Sequence, residues 1–386
     1  MKAAVIGISY YQRHLIEQLK NKNFYIIGVD GDADPYCKNM VDEFLHIDVK
    51  DSDTIIEQLK VKQINGVFSV ASDITLPATS KVASALGLPG MKYQTYKSFE
   101  SKDRYYDLFD NIGVKVPKTY TIEDLDNLPT KKYIIKPSQG AGNRGIAVVE
   151  DVHNFDFTNH QDLYYREGEI HLIQEFIEGQ KHSFDGIVYK NKFYPLVFSK
   201  SYNRPNSSLS NEIHFSSLID NSYKNTVMDY CNKIAKHISD DVITPLHMEF
   251  ISNEEGIYLI DFSLRGGGYD IFTSLIFNAT GYDVLENYIN SMLGNNINLP
   301  DSILTRYAVM NLVYSEKEGV IEWDKKKEYN KDVFIKQIVE SGNKVNLPKR
   351  DGDRIAYTIC YGDTLEEAKT LSTKVELDLN YKVNEL

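Results

Sequence analysis

The sequence predicts a multidomain protein that combines the α/β and α+β classes, and three observations support this. Residues 1–95 alternate short apolar runs with segments of helical spacing, which is typical of a parallel sheet covered by helices. After residue 96 the apolar runs follow one another through glycine-rich or acidic turns, which indicates hairpins. The length of 386 residues suits two or three domains. We therefore predict an N-terminal parallel α/β domain at 1–95, a central pair of α+β subdomains at 96–300 (one of them at about 115–180) and a small C-terminal α+β domain at 301–386.

In the first unit, three apolar runs have the length of strands that are buried on both faces. Segments of helical spacing lie between and after them, and Gly87 closes the last. The strands are expected at 3–7, 24–30 and 66–70, and the helices around Leu15, at 54–59 and at 76–86.

The second unit is expected to open with a helix at 101–111, and paired apolar runs follow it. The predicted strands lie at 133–136, 146–149, 172–177, 183–188, 193–198, 247–251 and 257–262, with a long helix at 221–238. In the last unit we expect strands at 308–313 and 354–361 and a helix at 365–375.

Composition excludes several classes of protein. The formal net charge is −12, and such a surface repels phosphate backbones and anionic lipids, so we expect no nucleic-acid and no membrane partner. Three widely spaced cysteines form neither a disulfide framework nor a paired-cysteine metal site. No apolar run approaches the roughly 18 residues of a membrane span. We expect a cytoplasmic protein.

A lysine followed by a glycine-rich loop is the sharpest local motif. Lys136 ends an apolar strand, where burial of its charge would be costly without an anionic partner. Gly140, Gly142 and Gly145 follow, and without Cβ atoms such a loop can turn its backbone N–H groups onto a phosphate. The lysine precedes the loop, which differs from the order in a Walker-type loop. The motif alone leaves open a flexible hairpin with a lysine that reaches solvent.

Two acidic residues form the second motif. Glu249 and Asp261 lie in adjacent predicted strands, and Arg265 and a run of three glycines follow Asp261. Two carboxylates that face each other across a ladder repel unless a cation lies between them. Mg²⁺ is such a cation, because it binds one or two carboxylates together with phosphate oxygens. The alternative is a pair of acids that face solvent.

The first unit also carries part of a dinucleotide-binding motif. Gly7, Ser9 and Asp30 suit such a site, but the full fingerprint needs a third glycine where Gln12 stands. The match therefore fails, and it speaks against a nicotinamide-dependent reductase.

Together these motifs resemble the ATP-grasp superfamily, in particular its carboxylate–amine ligases and biotin-carboxylase-like members. The order agrees along most of the chain: a nucleotide-binding-like first domain, an early helical lysine, Lys136-Pro137 before a glycine-rich hairpin, a hinge strand, and paired acids before Arg265. The resemblance implies a first domain that helps to bind the second substrate, an ATP-grasp fold with a lid at about 115–180, and a small last domain.

The resemblance assigns roles in phosphate binding. Lys136 matches the strand lysine that holds the α and β phosphates, and Lys102 matches an earlier phosphate-binding lysine. The lid over the phosphates is matched by the loop that contains Ser138, Gly140, Gly142 and Gly145.

The resemblance also implies where the nucleoside binds. The hinge is matched by Gln174, Glu175, Phe176 and Ile177, with the Ile177 N–H as donor to the adenine ring. His182 resembles the ribose-contacting histidine of biotin carboxylase, and its alternative is a surface histidine.

For the metal, Glu249 and Asp261 match the ligands, and Arg265 matches the arginine that faces the transferred phosphate and the substrate. The family pattern Glu-x-Asn-x-Arg is here Asp261-Phe262-Ser263-Leu264-Arg265, so the acid is one methylene shorter and Ser263 is a weaker ligand than an asparagine. A ribose-binding glutamate often falls near Lys181, which cannot accept a hydrogen bond. These departures leave the number of ions, one or two, open.

We expect an ATP-dependent ligase that joins a carboxylate to an amine through an acyl phosphate. The cofactors implied are ATP and Mg²⁺, with Mn²⁺ as an alternative ion, and the partners are a small-molecule carboxylate and an amine. A homodimer is the assembly to test. The alternatives are a carboxylase that activates bicarbonate and a non-catalytic nucleotide-binding protein.

Overall fold

The computed structural model describes residues 1–140, 145–161, 170–205, 207, 209–216, 221–300, 306–324, 327–349 and 351–384. Among these residues, no helix has both the length and the apolar composition that a bilayer crossing requires.

The N-terminal region is a parallel four-stranded sheet in the order β3-β2-β1-β4, as the sequence predicts. The predicted strands and helices are present, and β3 is an addition that the sequence did not indicate. It is a short edge strand with half-buried side chains, so it lacks the apolar run of its neighbours. The elements are β1 (Lys2–Ile6), α1 (Arg13–Asn21), β2 (Tyr25–Asp30), β3 (Glu43–His46), α2 (Ser52–Lys60), β4 (Gly66–Phe68), α3 (Leu76–Leu86) and α4 (Tyr93–Ser98).

A helix and a small antiparallel sheet come next. The sheet has the order β5-β8-β6-β7, and its central strand β6 pairs with β7 through the glycine-rich connection, which is the predicted hairpin. The elements are α5 (Lys102–Asn111), β5 (Thr119–Tyr120), β6 (Tyr133–Pro137), β7 (Ala147–Val149), α6 (Phe157–Gln161) and β8 (His171–Glu175).

The largest sheet has eight strands in the order β13-β12-β9-β10-β11-β14-β18-β16. Its first part is made of β9 (Gln180–Tyr189), β10 (Lys192–Asn203), β11 (Ser210–Ser216), β12 (Thr244–Asn253) and β13 (Gly256–Ser263). The helices of this part are α7 (Asn221–Ala235), α8 (Ile276–Thr280) and α9 (Val284–Met292).

The C-terminal region continues this sheet, because β14 pairs with β11, with Glu212 opposite Asn311. Three further strands form a small sheet in the order β17-β15-β19. The division at residue 300 stays a prediction, and the sheet runs across it. The elements are β14 (Tyr307–Tyr314), β15 (Gly319–Trp323), β16 (Val333–Gln337), β17 (Lys344–Val345), β18 (Arg354–Gly362), α10 (Leu365–Asp378) and β19 (Tyr381–Asn384).

Alternation along β9 and β12 gives the large sheet one apolar and one polar face. Phe184, Met248 and Phe250 are buried in the same core as α7. The neighbouring residues in the two strands, Asp185 and Glu249 among them, point to the opposite face. Polar side chains are thereby collected over the sheet, where the first and last regions of the chain also meet it.

A buried ion pair joins these three regions. Arg13 Nη2 lies 2.6 Å from Asp270 Oδ2, and the Asp270 side chain has no exposed surface. The hydroxyl of Tyr357 also donates to Asp270, at 2.6 Å. Arg13 comes from α1 and Tyr357 from β18. Asp270 lies in the segment after β13, and its backbone φ is +61°.

We predict that Asp270→Asn destabilises the protein by about 3 kcal/mol, because it leaves the Arg13 guanidinium buried without a countercharge. Asparagine keeps the size of the side chain and tolerates a positive φ, so the loss of charge is isolated. The measurement is the urea unfolding midpoint. The matched control is Asp53→Asn, which removes an exposed partner of Lys81 and should leave the midpoint nearly unchanged. Equal midpoints for both variants would contradict the prediction.

Candidate active site

Lys136 is almost completely buried at the end of β6, with 5% of its surface exposed. Its ammonium donates to the hydroxyl of Tyr106 and to Oε1 of Gln174, both at 2.7 Å, and to the carbonyl of Ile260 at 3.3 Å. All three acceptors are neutral. Among the described residues, no carboxylate forms an ion pair with Lys136, so its charge is solvated by the protein and not balanced by a direct partner.

This environment lowers the pKa of Lys136 to about 7. Burial is the largest cause, because it disfavours the charged form, and the nearby ammonium of Lys102 adds to it. Asp261 and Glu249 act in the opposite direction but do not cancel these effects.

Asp261 lies beside both lysines. Its Oδ1 accepts hydrogen bonds from Lys102 Nζ at 3.0 Å and from the hydroxyl of Tyr105 at 2.8 Å. Burial would raise the pKa of Asp261, but Lys102 and Lys136 outweigh burial and hold it well below its usual range. The carboxylate is therefore ionised throughout the physiological range of pH.

Glu249 stands directly opposite Asp261 in the ladder between β12 and β13. The two acids therefore face each other across adjacent strands, the arrangement that the sequence suggested. Each has its own cation: Lys102 for Asp261, and Lys181, whose Nζ lies 3.0 Å from Glu249 Oε2. Sequence reasoning did not foresee this second ion pair.

A partly exposed histidine and a buried aspartate form a pair next to Glu249. His247 Nδ1 is 3.1 Å from both oxygens of Asp185, and its Nε2 is 4.0 Å from Glu249 Oε1. Burial would lower the pKa of His247, but Asp185 outweighs burial and raises it. Asp185 also accepts the N–H of Gly267 at 2.8 Å, and a Cβ at that glycine would come within 2.6 Å of the carboxylate. A glycine is therefore needed at position 267 for the backbone to pack against Asp185.

Asp73 brings the N-terminal region into the site. It accepts hydrogen bonds from Arg265 Nε at 2.9 Å and from the hydroxyl of Ser263. Burial would lower the pKa of Arg265, and Asp73 outweighs burial and raises it, so the guanidinium stays charged. Asp73 was not predicted, because it lies in a connection after β4 without a local motif.

Several of these groups line one cavity of about 470 Å³. Its walls come from all three regions of the chain, since Ser9, Tyr11 and Asp73 meet the central sheet and Arg354 of β18 there. The predicted site residues among its lining are Lys102, Gly140, Glu249, Asp261, Ser263 and Arg265.

The described part of the predicted lid lies over this cluster. Ser138 is 5% exposed; its carbonyl accepts the backbone N–H of Lys102 at 2.7 Å, and its hydroxyl accepts the N–H of Ile170 at 3.3 Å. Gly140 and Gly145 have φ of +131° and +68°, values that favour glycine. Gly142 lies outside the described residues.

The first two of the four predicted hinge residues end β8, which pairs with β6, and the other two follow β8 directly. Gln174 holds Lys136 through Oε1 and donates through Nε2 to Thr119 at 2.9 Å, so its side chain is fully engaged. Glu175 pairs with Lys131 at 2.6 Å, and the N–H of Phe176 donates to the carbonyl of Lys132 at 3.4 Å. No described residue accepts a hydrogen bond from the N–H of Ile177.

His182 does not join the others. Its ring stacks on Phe198, with the ring centroids 5.3 Å apart, and Nε2 lies 2.9 Å from the hydroxyl of Ser252. On β9 it points to the face opposite that of Asp185, because successive residues of a strand alternate. We therefore correct the predicted ribose contact: the adjacent Lys181 occupies the site face, and His182 belongs to the core.

Gln12 explains why the dinucleotide motif fails. Its side chain is fully buried, with Nε2 donating to the carbonyl of Val70 at 2.6 Å and Oε1 accepting the N–H of Val70 at 3.0 Å. It fills the space at the helix start. Asp30 in turn accepts the N–H of Ile8 at 2.7 Å.

The donor set fits Mg²⁺. Glu249 and Asp261 present carboxylates on facing strands, and hard cations prefer such oxygens. Among the described residues, no group of three or more histidine, cysteine or acidic side chains could hold a metal alone. An ion bound here would therefore need oxygens from a phosphate, as Mg²⁺ commonly does. Ser263 is less suited, because its hydroxyl already donates to Asp73.

Comparison with known proteins identifies the family of the central region. Residues 99–267 match the family described as the ATP-grasp domain, and the predicted resemblance is confirmed. The L-amino acid ligase of Bacillus licheniformis has the same fold over the whole chain: the TM-score is 0.83 at 15% identity, and the match covers 100% of this chain and 99% of the other. The predicted fold class is thereby confirmed.

Two relatives found by sequence match a smaller part of the chain. An alanine–anticapsin ligase of Bacillus subtilis is 22% identical over 324 residues, which is 72% of this chain and 67% of the relative. A carbamoyl-phosphate synthase of Methanobrevibacter smithii is 24% identical over 248 residues, which is 62% of this chain and 61% of the relative. The chain thus matches less than two thirds of the length of the latter.

We predict that binding of ADP, used as a phosphate-bearing probe, is coupled to protonation of Lys136. Before the nucleotide binds, the lysine is largely neutral above pH 7, and a bound phosphate raises its pKa. Binding above this pH should therefore take up a proton, and affinity should fall as pH rises, by up to about tenfold per pH unit. Calorimetry at about pH 8.5 in buffers of different ionisation enthalpy measures the uptake.

Lys136→Met should abolish this proton uptake. Lys132→Met, which changes a more exposed lysine paired with Glu150, should leave it intact. Identical uptake in wild type and Lys136→Met would show that another group takes the proton.

Proposed function

We propose that this protein is an ATP-dependent ligase that joins a carboxylate to an amine through an acyl phosphate and releases ADP and phosphate. The observation that carries the proposal is the convergence of Lys102 and Lys136 on Asp261, opposite Glu249, in an ATP-grasp domain. Two lysines and two facing carboxylates suit a terminal phosphate with its metal ion. The names of the L-amino acid ligase and the alanine–anticapsin ligase support the same class of reaction.

The nucleotide would lie between the lid and the large sheet. Lys136 pairs with no acid among the described residues, so it would bind the α and β phosphates. Lys102, whose ammonium lies between Asp261 and the carbonyl of Gly140, would contact the same groups. The backbone of the glycine-rich loop would donate to the phosphates. The backbone N–H of Ile177, which no described residue accepts, would donate to the adenine ring, while the engaged Gln174 side chain keeps Lys136 in place.

In the first step a carboxylate oxygen attacks the γ-phosphorus, and the bond from that phosphorus to the bridging oxygen of ADP breaks. Arg265, held by Asp73, stands on the cavity wall where it would neutralise the transferred phosphoryl group. Mg²⁺ at Glu249 and Asp261 would neutralise charge on the phosphate oxygens and orient them.

In the second step an amine attacks the acyl carbon, inorganic phosphate leaves, and the amine nitrogen loses a proton as the C–N bond forms. The acyl phosphate carries the activation, so no side-chain nucleophile is required. The work of the protein is to position the reactants, neutralise charge and exclude water.

Mn²⁺ stays an alternative ion, and a homodimer stays a prediction. Activation of bicarbonate is the second candidate reaction, and the screen described next distinguishes it from ligation. The full set of Lys102, Lys136, Glu249, Asp261 and Arg265 argues against a non-catalytic nucleotide-binding protein.

We predict that a screen of amino acids and small carboxylic acids with ATP and Mg²⁺ finds pairs that release ADP and phosphate in equal amounts. Coupled assays measure both products, and mass spectrometry identifies the joined product. Phosphate release that needs bicarbonate instead of an organic acid would favour the carboxylase. AMP and pyrophosphate would contradict the acyl phosphate and indicate adenylation.

A further inference from the structure

Lys181 is a cation at the place where the family resemblance leads one to expect an acid. It lies on β9, on the same face as Ser183 and Asp185, and it lines the cavity. Its ammonium is 3.0 Å from Glu249 Oε2, and both side chains are 25% exposed. Lys181 is therefore directed toward the metal ligands.

This contact engages one oxygen of Glu249. The other oxygen, Oε1, lies 4.0 Å from His247 Nε2, which is beyond hydrogen-bond distance. Asp261 shows the same division, because its Oδ1 accepts from both Lys102 and Tyr105. Among the described residues, none donates a hydrogen bond to Asp261 Oδ2. Each acid thus presents one oxygen, and two oxygens on facing strands suit one ion.

A second ion would lack further ligands from this part of the chain. The hydroxyl of Ser263 donates to Asp73, and the other oxygen of Asp73 accepts from Arg265. The carboxylate of Asp185 is likewise engaged by His247 and by the N–H of Gly267. The side chains that surround the two metal ligands are therefore already paired with one another.

Charge leads to the same conclusion. A divalent ion that bound Glu249 through Oε2 would have to displace the ammonium of Lys181 or lie against it. Like charges at such distances repel strongly in a partly buried site. The ammonium already supplies positive charge at this oxygen, which is what a second ion would otherwise provide.

We propose that Lys181 takes the place of a second divalent ion, so that the nucleotide-loaded site binds one ion, between Glu249 Oε1 and Asp261 Oδ2. Lys181 is then a positioning residue: it fixes Glu249 in a one-oxygen geometry and sets the number of metal ions. The inference rests on the proposed function, because the ion is expected with a bound nucleotide.

The test counts Mn²⁺ ions per chain in the presence of saturating ADP or the β,γ-imido analogue of ATP. Electron paramagnetic resonance of free Mn²⁺ gives the number bound without reference to turnover. We expect one ion for wild type and two for Lys181→Met, which frees Glu249 Oε2 and removes the repelling charge. Lys181→Gln serves as a second neutral variant should the first fail to fold. Lys181→Arg, which keeps the charge, should bind one.

Lys200→Met is the matched control, because Lys200 lies on the neighbouring strand β10 and is exposed. It should bind one ion, as wild type does. Two ions in wild type, or one ion in both neutral Lys181 variants, would overturn the role of Lys181 and leave the ligase proposal intact. Failure of wild type to bind either nucleotide with Mn²⁺ would overturn the ligase proposal and this inference with it.

Discussion

The ammonium of Lys136, which is buried and forms no ion pair with any carboxylate in the described part of the chain, is the constraint on which the site depends. A buried charge needs hydrogen-bond acceptors, and Tyr106, Gln174 and the carbonyl of Ile260 supply them from three different elements. The low pKa shows that this solvation is incomplete. The site is thus prepared for an anion, and a phosphate would complete the charge balance that the protein alone leaves open.

The same logic accounts for the arrangement around Lys136. Each of the three acids that line the cavity has its own cation, and the pairs link distant parts of the chain: Lys102 with Asp261, Lys181 with Glu249, and Arg265 with Asp73. The pair of Asp73 and Arg265 ties the N-terminal region to the large sheet. The pair of Arg13 and Asp270, together with Tyr357, ties in the C-terminal strands. Because all three regions form the cavity, its geometry depends on the whole chain.

Local sequence patterns predicted most of the fold and the parts of the site that lie within one motif. Glu249 and Asp261 were predicted because both fall in a single hairpin, and Lys136 because it ends an apolar strand. Asp73 was missed, because pairing across 192 positions has no local signal. A local signal did exist for Asp185, because polar residues alternate with apolar ones along β9. The same period of two places His182 on the face opposite the site, which does not suit its predicted role. The ion pair between Lys181 and Glu249 could not be predicted from local patterns, because it depends on the register between β9 and β12.

The most direct test of the account is the effect of Mg²⁺ on ADP binding to wild type and to Asp261→Asn, measured by calorimetry. The account predicts that Mg²⁺ strengthens binding to wild type and has little effect on the variant. Without metal, the variant should bind ADP at least as tightly as wild type, because Lys102 is released from its ion pair with the acid that competes with phosphate. An equal gain from Mg²⁺ in both proteins would contradict the assignment of Asp261 and the phosphate site built around it.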